Sequence, residues 1–157
     1  MNLNTEKMTT TKEEVALGRL LFDEESQLAS VLDYGGDYLK VLNGDETPKL
    51  GHRVNMGYKG ELRGEVNGSI EGMDHIEIRP DGMFKLNIHA TITTYDGKKI
   101  AYESGGIVET ETGEVRQHVW FRTQEKEYLW LNKLYVWVIG KADFATGTLT
   151  LKNYVAA

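Results

Sequence analysis

Arg79-Pro80-Asp81-Gly82-Met83-Phe84-Lys85-Leu86-Asn87-Ile88-His89-Ala90-Thr91-Ile92-Thr93-Thr94-Tyr95-Asp96-Gly97 reads as one strand framed by two tight turns. Apolar and polar residues alternate between the turns, the period of a half-buried strand. Asp-Gly suits type I′ hairpin turns, whose two central residues need positive φ. The same signal recurs outward on both sides, as Asn67-Gly68, Thr112-Gly113 and Thr146-Gly147. The first four signals recur at intervals of roughly fifteen residues, one long strand plus one turn each time. The last gap is about twice as long, and the charged stretch Gln124-Glu125-Lys126-Glu127 inside it reads as a further turn. Strands joined consecutively by tight turns form a meander, and a long meander closes most easily into an up-and-down barrel. The expected fold is therefore all-β: an antiparallel β-barrel of eight or nine strands, preceded by a short helix or strand.

The chain has 157 residues, the size of a single domain able to bury a core without staples. It contains no cysteine, which excludes disulfides, thiolate metal sites and cysteine nucleophiles. Its net charge is −6, with acidic and basic residues mixed. That argues against nucleic acid, which needs a basic surface, and no basic run suits an anionic membrane. Met1 to Glu14 is polar, without the apolar region of a secretory signal. No apolar stretch has the length of a membrane helix, and a membrane β-barrel would need an export signal. The expected location is the cytoplasm.

Residues 1–10 read as disordered. Thr11-Lys12-Glu13-Glu14 reads as a capping box and opens an expected helix near 12–22, with an opening strand as the competing reading because Gly18 disfavours helix. One strand is expected near 37–42. Further strands are expected at 57–66, 69–79, 83–94, 98–109, 115–123, 128–140 and 148–155. Gly57, Gly60, Gly64, Gly68 and Gly72 crowd the first hairpin. Such glycines mark bulges, corners or close approaches.

Alternation sorts the candidate functional residues. Phe84, Leu86, Ile88, Ala90 and Ile92 share one face of their strand, and Lys85, Asn87, His89, Thr91 and Thr93 the other. His118, Trp120 and Arg122 oppose Val119, Phe121 and Thr123. Tyr128, Trp130 and Asn132 oppose Leu129, Leu131 and Lys133. His75, Glu77 and Arg79 oppose Ile76 and Ile78. These polar sets mix Trp and Tyr with Arg, His and Asn, a makeup that suits a small organic ligand. Arg beside Trp suits a carboxylate, phenolate or enolate on it. Facing inward, the set lines a ligand cavity; facing outward, it forms an exposed patch.

Four elements together carry a resemblance. Arg79-Pro80-Asp81-Gly82, Thr94-Tyr95-Asp96-Gly97, Phe121-Arg122-Thr123 and Trp130-Leu131-Asn132 resemble, in order and spacing, motifs of the bacterial domain-of-unknown-function family 3237 (uncharacterised protein family 0311). The resemblance spans residues 55–155 and leaves the N-terminal forty residues unmatched. Asn87 and His89 stand where Asp and Arg are expected in relatives, and the loop between Arg122 and Tyr128 is shorter. The resemblance implies a small antiparallel β-barrel and no established reaction.

No cofactor and no metal are expected, since His52, His75, His89 and His118 lack ligand spacing. Ser104 lacks the strand–turn–helix setting of a nucleophile elbow, and Asp81 and Asp96 read as turn formers. Arg79 either pairs with Glu77 or Glu103 or anchors an anionic ligand. As an enzyme, the protein would isomerise, cyclise, hydrate or decarboxylate a bound hydrophobic ligand. His89 or Glu103 would move the proton. Arg79, Arg122 and Tyr128 would steady an oxyanion, Trp120 and Trp130 would supply walls, and Asn87, His118 and Asn132 would add polar contacts. The competing reading is a structural module whose aromatic face is a homo-oligomer interface.

Overall fold

Successive hairpins carry the chain once around a closed barrel. The computed structural model describes residues 13–46 and 48–156. Eight antiparallel strands follow one another in chain order, and the last pairs back onto the first. They are β1 (Leu20–Asp33), β2 (His52–Gly64), β3 (Gly68–Ile78), β4 (Phe84–Thr94), β5 (Lys99–Glu109), β6 (Glu114–Arg122), β7 (Val136–Asp143) and β8 (Thr148–Val155). The meander barrel and its strand count agree with the turn rhythm.

Three local expectations are corrected. Residues 13–19 have no regular structure and β1 begins at Leu20, so the competing strand reading replaces the helix near 12–22. Thr11, Lys12 and residues 1–10 lie outside the described residues. The expected strand near 37–42 is a one-turn helix, α1 (Tyr38–Leu42), because Asp37 caps it by accepting from the Leu39 N–H. The expected strand at 128–140 is a 3-10 helix over Lys126–Lys133 followed by β7.

The turns also differ from type I′, since among the described residues none other than glycine has positive φ. At Arg79-Pro80-Asp81-Gly82 the Gly82 N–H donates to the Arg79 carbonyl and the Arg79 N–H to the Met83 carbonyl, with Gly82 at φ +87°. That is a type I turn completed by a left-handed glycine, the common three-residue hairpin. Thr94 to Lys98 repeats it around Gly97. At the first hairpin the Asn67 side chain closes the loop, accepting from Gly64 N–H and donating to Gly64 carbonyl.

The barrel is packed unevenly along its axis. At the end holding the start of β1 and the end of β6, Leu21, Phe22, Leu62, Ile92, Ile100 and Phe121 are buried. Phe121 there meets Phe22 and Tyr102 edge to face, with ring centroids 6.1 and 5.9 Å away. Leu131, wholly buried, adds to this plug from the 3-10 helix. The opposite end holds the β1–β2 connection with α1, and the β7–β8 turn. Outward positions carry cross-strand ion pairs, Lys59–Glu71, Lys85–Glu77 and Lys152–Asp23, unlike the apolar band of a lipid-facing barrel. Among the described residues no helix is long and apolar enough to cross a membrane.

The barrel lumen as candidate functional site

Inward positions should be apolar, yet several carry polar side chains. Glu24 and Ser26 of β1, Asp74 of β3, Ser104 of β5, Gln117 of β6 and Asn153 of β8 are all buried. Each shares its face with core residues: Asp74 with Ile76 and Ile78, Gln117 with Val115 and Val119, Ser104 with Tyr102. Some of them surround a cavity of about 50 Å³ in the less densely packed half of the barrel. Its polar lining includes Glu24, Tyr58, Asp74, Tyr102 and Gln117; Phe84, Leu86, Ile88 and Phe144 are among its apolar walls. One water needs about 10–15 Å³ and drug-sized ligands about 300–1,000 Å³, so this space suits a few waters or a small molecule.

Local backbone features hold the two carboxyls in place. Ser26 Oγ donates to Glu24 Oε1 at 2.8 Å. Ser26 fits only because Gly60 faces it across the ladder: a Cβ there would lie 2.0 Å from Ser26 Oγ and 2.5 Å from the Glu25 carbonyl oxygen. Glu24 Oε2 and both amide atoms of buried Asn153 have no hydrogen-bond partner among the described residues. Asp74 sits where the β3–β4 ladder lapses, between the pairs Asp74–Ile88 and Glu77–Lys85. Its Oδ1 takes the free Asn87 N–H at 3.0 Å.

Burial dominates the electrostatics. It raises the Glu24 pKa from 4.5 to about 7, opposed by the Ser26 hydrogen bond and, more weakly, by the nearby Asn153 amide, which stands outside hydrogen-bond geometry. It likewise raises Asp74 from 3.8 to about 7, opposed by the Asn87 N–H and, at longer range, the Arg53 charge. The Tyr58 and Tyr102 phenols are pushed well up, first by burial and then by neighbouring charge, including that of Glu24 and Asp74. Two acids poised near neutrality in an apolar cavity are the equipment of proton transfer. A carboxyl here can donate in its neutral form and accept in its ionised form.

The side chains singled out from the sequence stand elsewhere. His118, Trp120 and Arg122 project from the outer face of β6, while Val119 and Phe121 fill the core. His118 and Trp120 do meet, with ring centroids 4.7 Å apart, and Tyr135 and Trp137 extend the cluster. Trp120, Tyr135 and Trp137 are exposed. Trp130 and Tyr128 lie on the 3-10 helix instead of a neighbouring strand. Trp130 Nε1 donates to the Glu127 carbonyl, and the Tyr128 hydroxyl reaches Asp96. Asn132 accepts from the Thr123 N–H and donates to the Thr123 carbonyl at 2.8 and 2.9 Å. His89 and Glu103 approach to 4.0 Å across β4 and β5 with both side chains largely exposed. Asn87 is exposed and reaches the lumen only through its backbone. Arg79 pairs with Asp81, its neighbour in the turn, and not with Glu77 or Glu103. No Lys, Arg or His is among the described residues lining the lumen cavity, so the anionic group expected of a ligand finds no counter-charge there. No group of three or more His, Asp or Glu among the described residues could hold a metal ion. The missed signal was a polar residue on an otherwise apolar strand face, legible at Asp74 and Gln117.

Comparison with known proteins supports the architecture. The family described as "Protein of unknown function (DUF3237)" matches residues 40–156. A protein of unknown function from Clostridium acetobutylicum ATCC 824 superposes with a TM-score of 0.72 at 21% identity, over 88% of this chain and 98% of that one. A β-barrel-like protein from Acinetobacter baumannii AYE gives 0.67 at 18% identity, over 95% and 100%. An enzyme from Penicillium herquei gives 0.60 at 18% identity, over 92% and 99%. At such identities these likenesses show the fold alone. No curated protein matches the sequence.

Proposed function

We propose, from the premise that this chain belongs to the DUF3237 family of proteins of unknown function, that its lumen binds a small, mostly apolar molecule and exchanges protons with it through Glu24 and Asp74. The observation that carries this reading is the unpartnered Oε2 of wholly buried Glu24, bordering a cavity shared with Asp74 and two phenols. A buried polar atom left unpaired costs about 1–3 kcal/mol, a cost that a ligand with a polar end removes. Tyr58 and Tyr102 help fix that end, and the aliphatic and phenyl walls take the rest. The reaction class is acid–base chemistry on the bound molecule.

The test is a small-molecule screen followed by two-dimensional NMR. Trp120, Trp130 and Trp137 all lie outside the lumen, so tryptophan fluorescence is a poor reporter of it. Hits are expected to shift the backbone signals of Glu24, Tyr58, Asp74 and Tyr102, in wild type and in Trp120→Ala alike. Turnover would register as exchange of carbon-bound hydrogen for solvent deuterium, lost in Glu24→Gln or Asp74→Asn. Hits clustering around Trp120 and Trp137 instead would refute the lumen.

One observation favours a second reading. Exposed Trp120, Tyr135 and Trp137 form, with half-buried His118, a contiguous aromatic cluster on the outer face of β6 and the start of β7. Aromatic residues are enriched in interface cores, and a second copy of the chain is the partner this reading names. Trp120→Ala would then shift sedimentation from dimer to monomer. A wild type that sediments as a monomer, or a dimer that survives the substitution, would speak against it.

A further inference from the structure

We infer that the ligand of the lumen is a small ammonium cation with an apolar body. The inference rests on the lumen being the ligand site and adds the chemical class.

The lining is lopsided in charge. Glu24 and Asp74 face the cavity from β1 and β3; Asp143, at the end of β7, borders it but is exposed, accepting from the Ala145 and Thr146 N–H groups of the turn. Tyr58, Tyr102 and Gln117 supply the other polar groups, and no basic side chain among the described residues answers the carboxyls. Arg53 acts on Asp74 only from outside, exposed and bonded to Asn55. A buried carboxylate without a cation is costly. Without a counter-cation the lumen escapes that cost by keeping its acids protonated toward neutral pH. A neutral ligand leaves this imbalance untouched, an anion worsens it, and an ammonium group cancels it.

Hydrogen bonding points the same way. An ammonium group offers three donors and no acceptor. Glu24 Oε2 is a buried acceptor without a donor at the cavity wall, and ionised Asp74 has acceptor capacity beyond its one bond from Asn87. Tyr58, Tyr102, Phe84 and Phe144 line the same space, and aromatic rings attract cations. The aliphatic remainder accommodates a short hydrocarbon body, and a cavity of about 50 Å³ limits that body to a few carbons.

Binding of such a cation couples to protons. Below neutrality the carboxyls must ionise to receive it, so binding releases protons and tightens as pH rises. The titratable groups that share this space are Glu24 on β1, Tyr58 on β2, Asp74 on β3 and Tyr102 on β5; the charged side chains of Arg53 on β2 and Asp143 on β7 are exposed.

The test compares butylamine, butanol and butyrate, matched in length and differing in charge, by NMR titration of the intact protein at about pH 8, where butylamine is protonated. Butylammonium is expected to bind at least about tenfold more tightly than butanol, with shifts at the lumen residues, and butyrate not to bind. In Glu24→Gln, and independently in Asp74→Asn, the preference for the amine over the alcohol should fall severalfold while the circular dichroism of the barrel is kept. Calorimetry in buffers of different ionisation heat should register proton release below neutrality. Butanol binding in the lumen as tightly as butylammonium would overturn the cationic class and leave the lumen site standing. Absence of lumen shifts with all three compounds at roughly tens of millimolar, generous for ligands of this size, would overturn both.

Discussion

Glu24 is the residue on which the functional reading turns, and its protonation has a thermodynamic signature. Its pKa is about 7 in the folded barrel, against 4.5 ordinarily. A raised folded pKa means the native state holds the proton more tightly than the unfolded chain. The associated stability is fully present below about pH 4.5 and is lost as pH rises through about 7. For Glu24 alone this is on the order of 3 kcal/mol. Glu24→Gln, which keeps the shape and cannot ionise, should therefore be more stable than wild type above neutrality and lose most of that advantage near pH 4. Urea denaturation at both pH values checks this; an unchanged difference between them would rule out a buried titrating Glu24. Gly60 acts one step further back. Gly60→Ala drives a methyl group into Ser26 Oγ and the Glu25 carbonyl and should cost about 1–3 kcal/mol. Adding Ser26→Ala should not restore stability, because the carbonyl cannot move aside. Full rescue in the double variant would show that the side chain alone set the constraint.

The strands differ in how openly the sequence displays them, and the lumen explains the difference. β4 alternates cleanly because Phe84, Leu86, Ile88 and Ile92 point inward, and its glycine turns mark both ends. β1 was hidden because Glu24 and Ser26 occupy inward positions where Leu or Val would have revealed the period. The residues that build the site thus erased the pattern that would have located it. The stretch after Gln124 misled for another reason. Leu129 and Leu131 alternating with Tyr128, Trp130 and Asn132 fit a strand over so short a span, yet of these residues only Leu131 is buried. β6 pairs with β7 only up to Val119–Val136. Beyond that point the Asn132 amide takes the place of a strand, bonding Thr123 at both its N–H and its carbonyl. Asn132→Ala should cost about 1–3 kcal/mol by leaving those groups unpaired. Hydrogen exchange should quicken at Thr123 while β1 to β4 remain protected. Unchanged exchange at Thr123 would mean that water replaces the amide without loss.

A barrel plugged at one end and hollow at the other behaves as a container whose contents set its pH response. Asp74 adds to the effect of Glu24, since its pKa also rises to about 7, from 3.8. Together they predict that stability falls by several kcal/mol between about pH 4 and pH 8. The net charge of −6 also disfavours compactness as pH rises, but salt screens surface repulsion and reaches buried groups far less. The decline should therefore persist in molar salt; its disappearance there would assign it to the surface. The most direct measurement is a carbon-13 NMR titration of the side-chain carboxyls in the unliganded protein. Two carboxyl signals, assigned to Glu24 and Asp74 through Glu24→Gln and Asp74→Asn, should titrate near pH 7, well apart from the exposed acids. If both titrate with the rest below about pH 5, the lumen holds ordinary carboxylates, and the proton-exchanging site proposed for it does not exist.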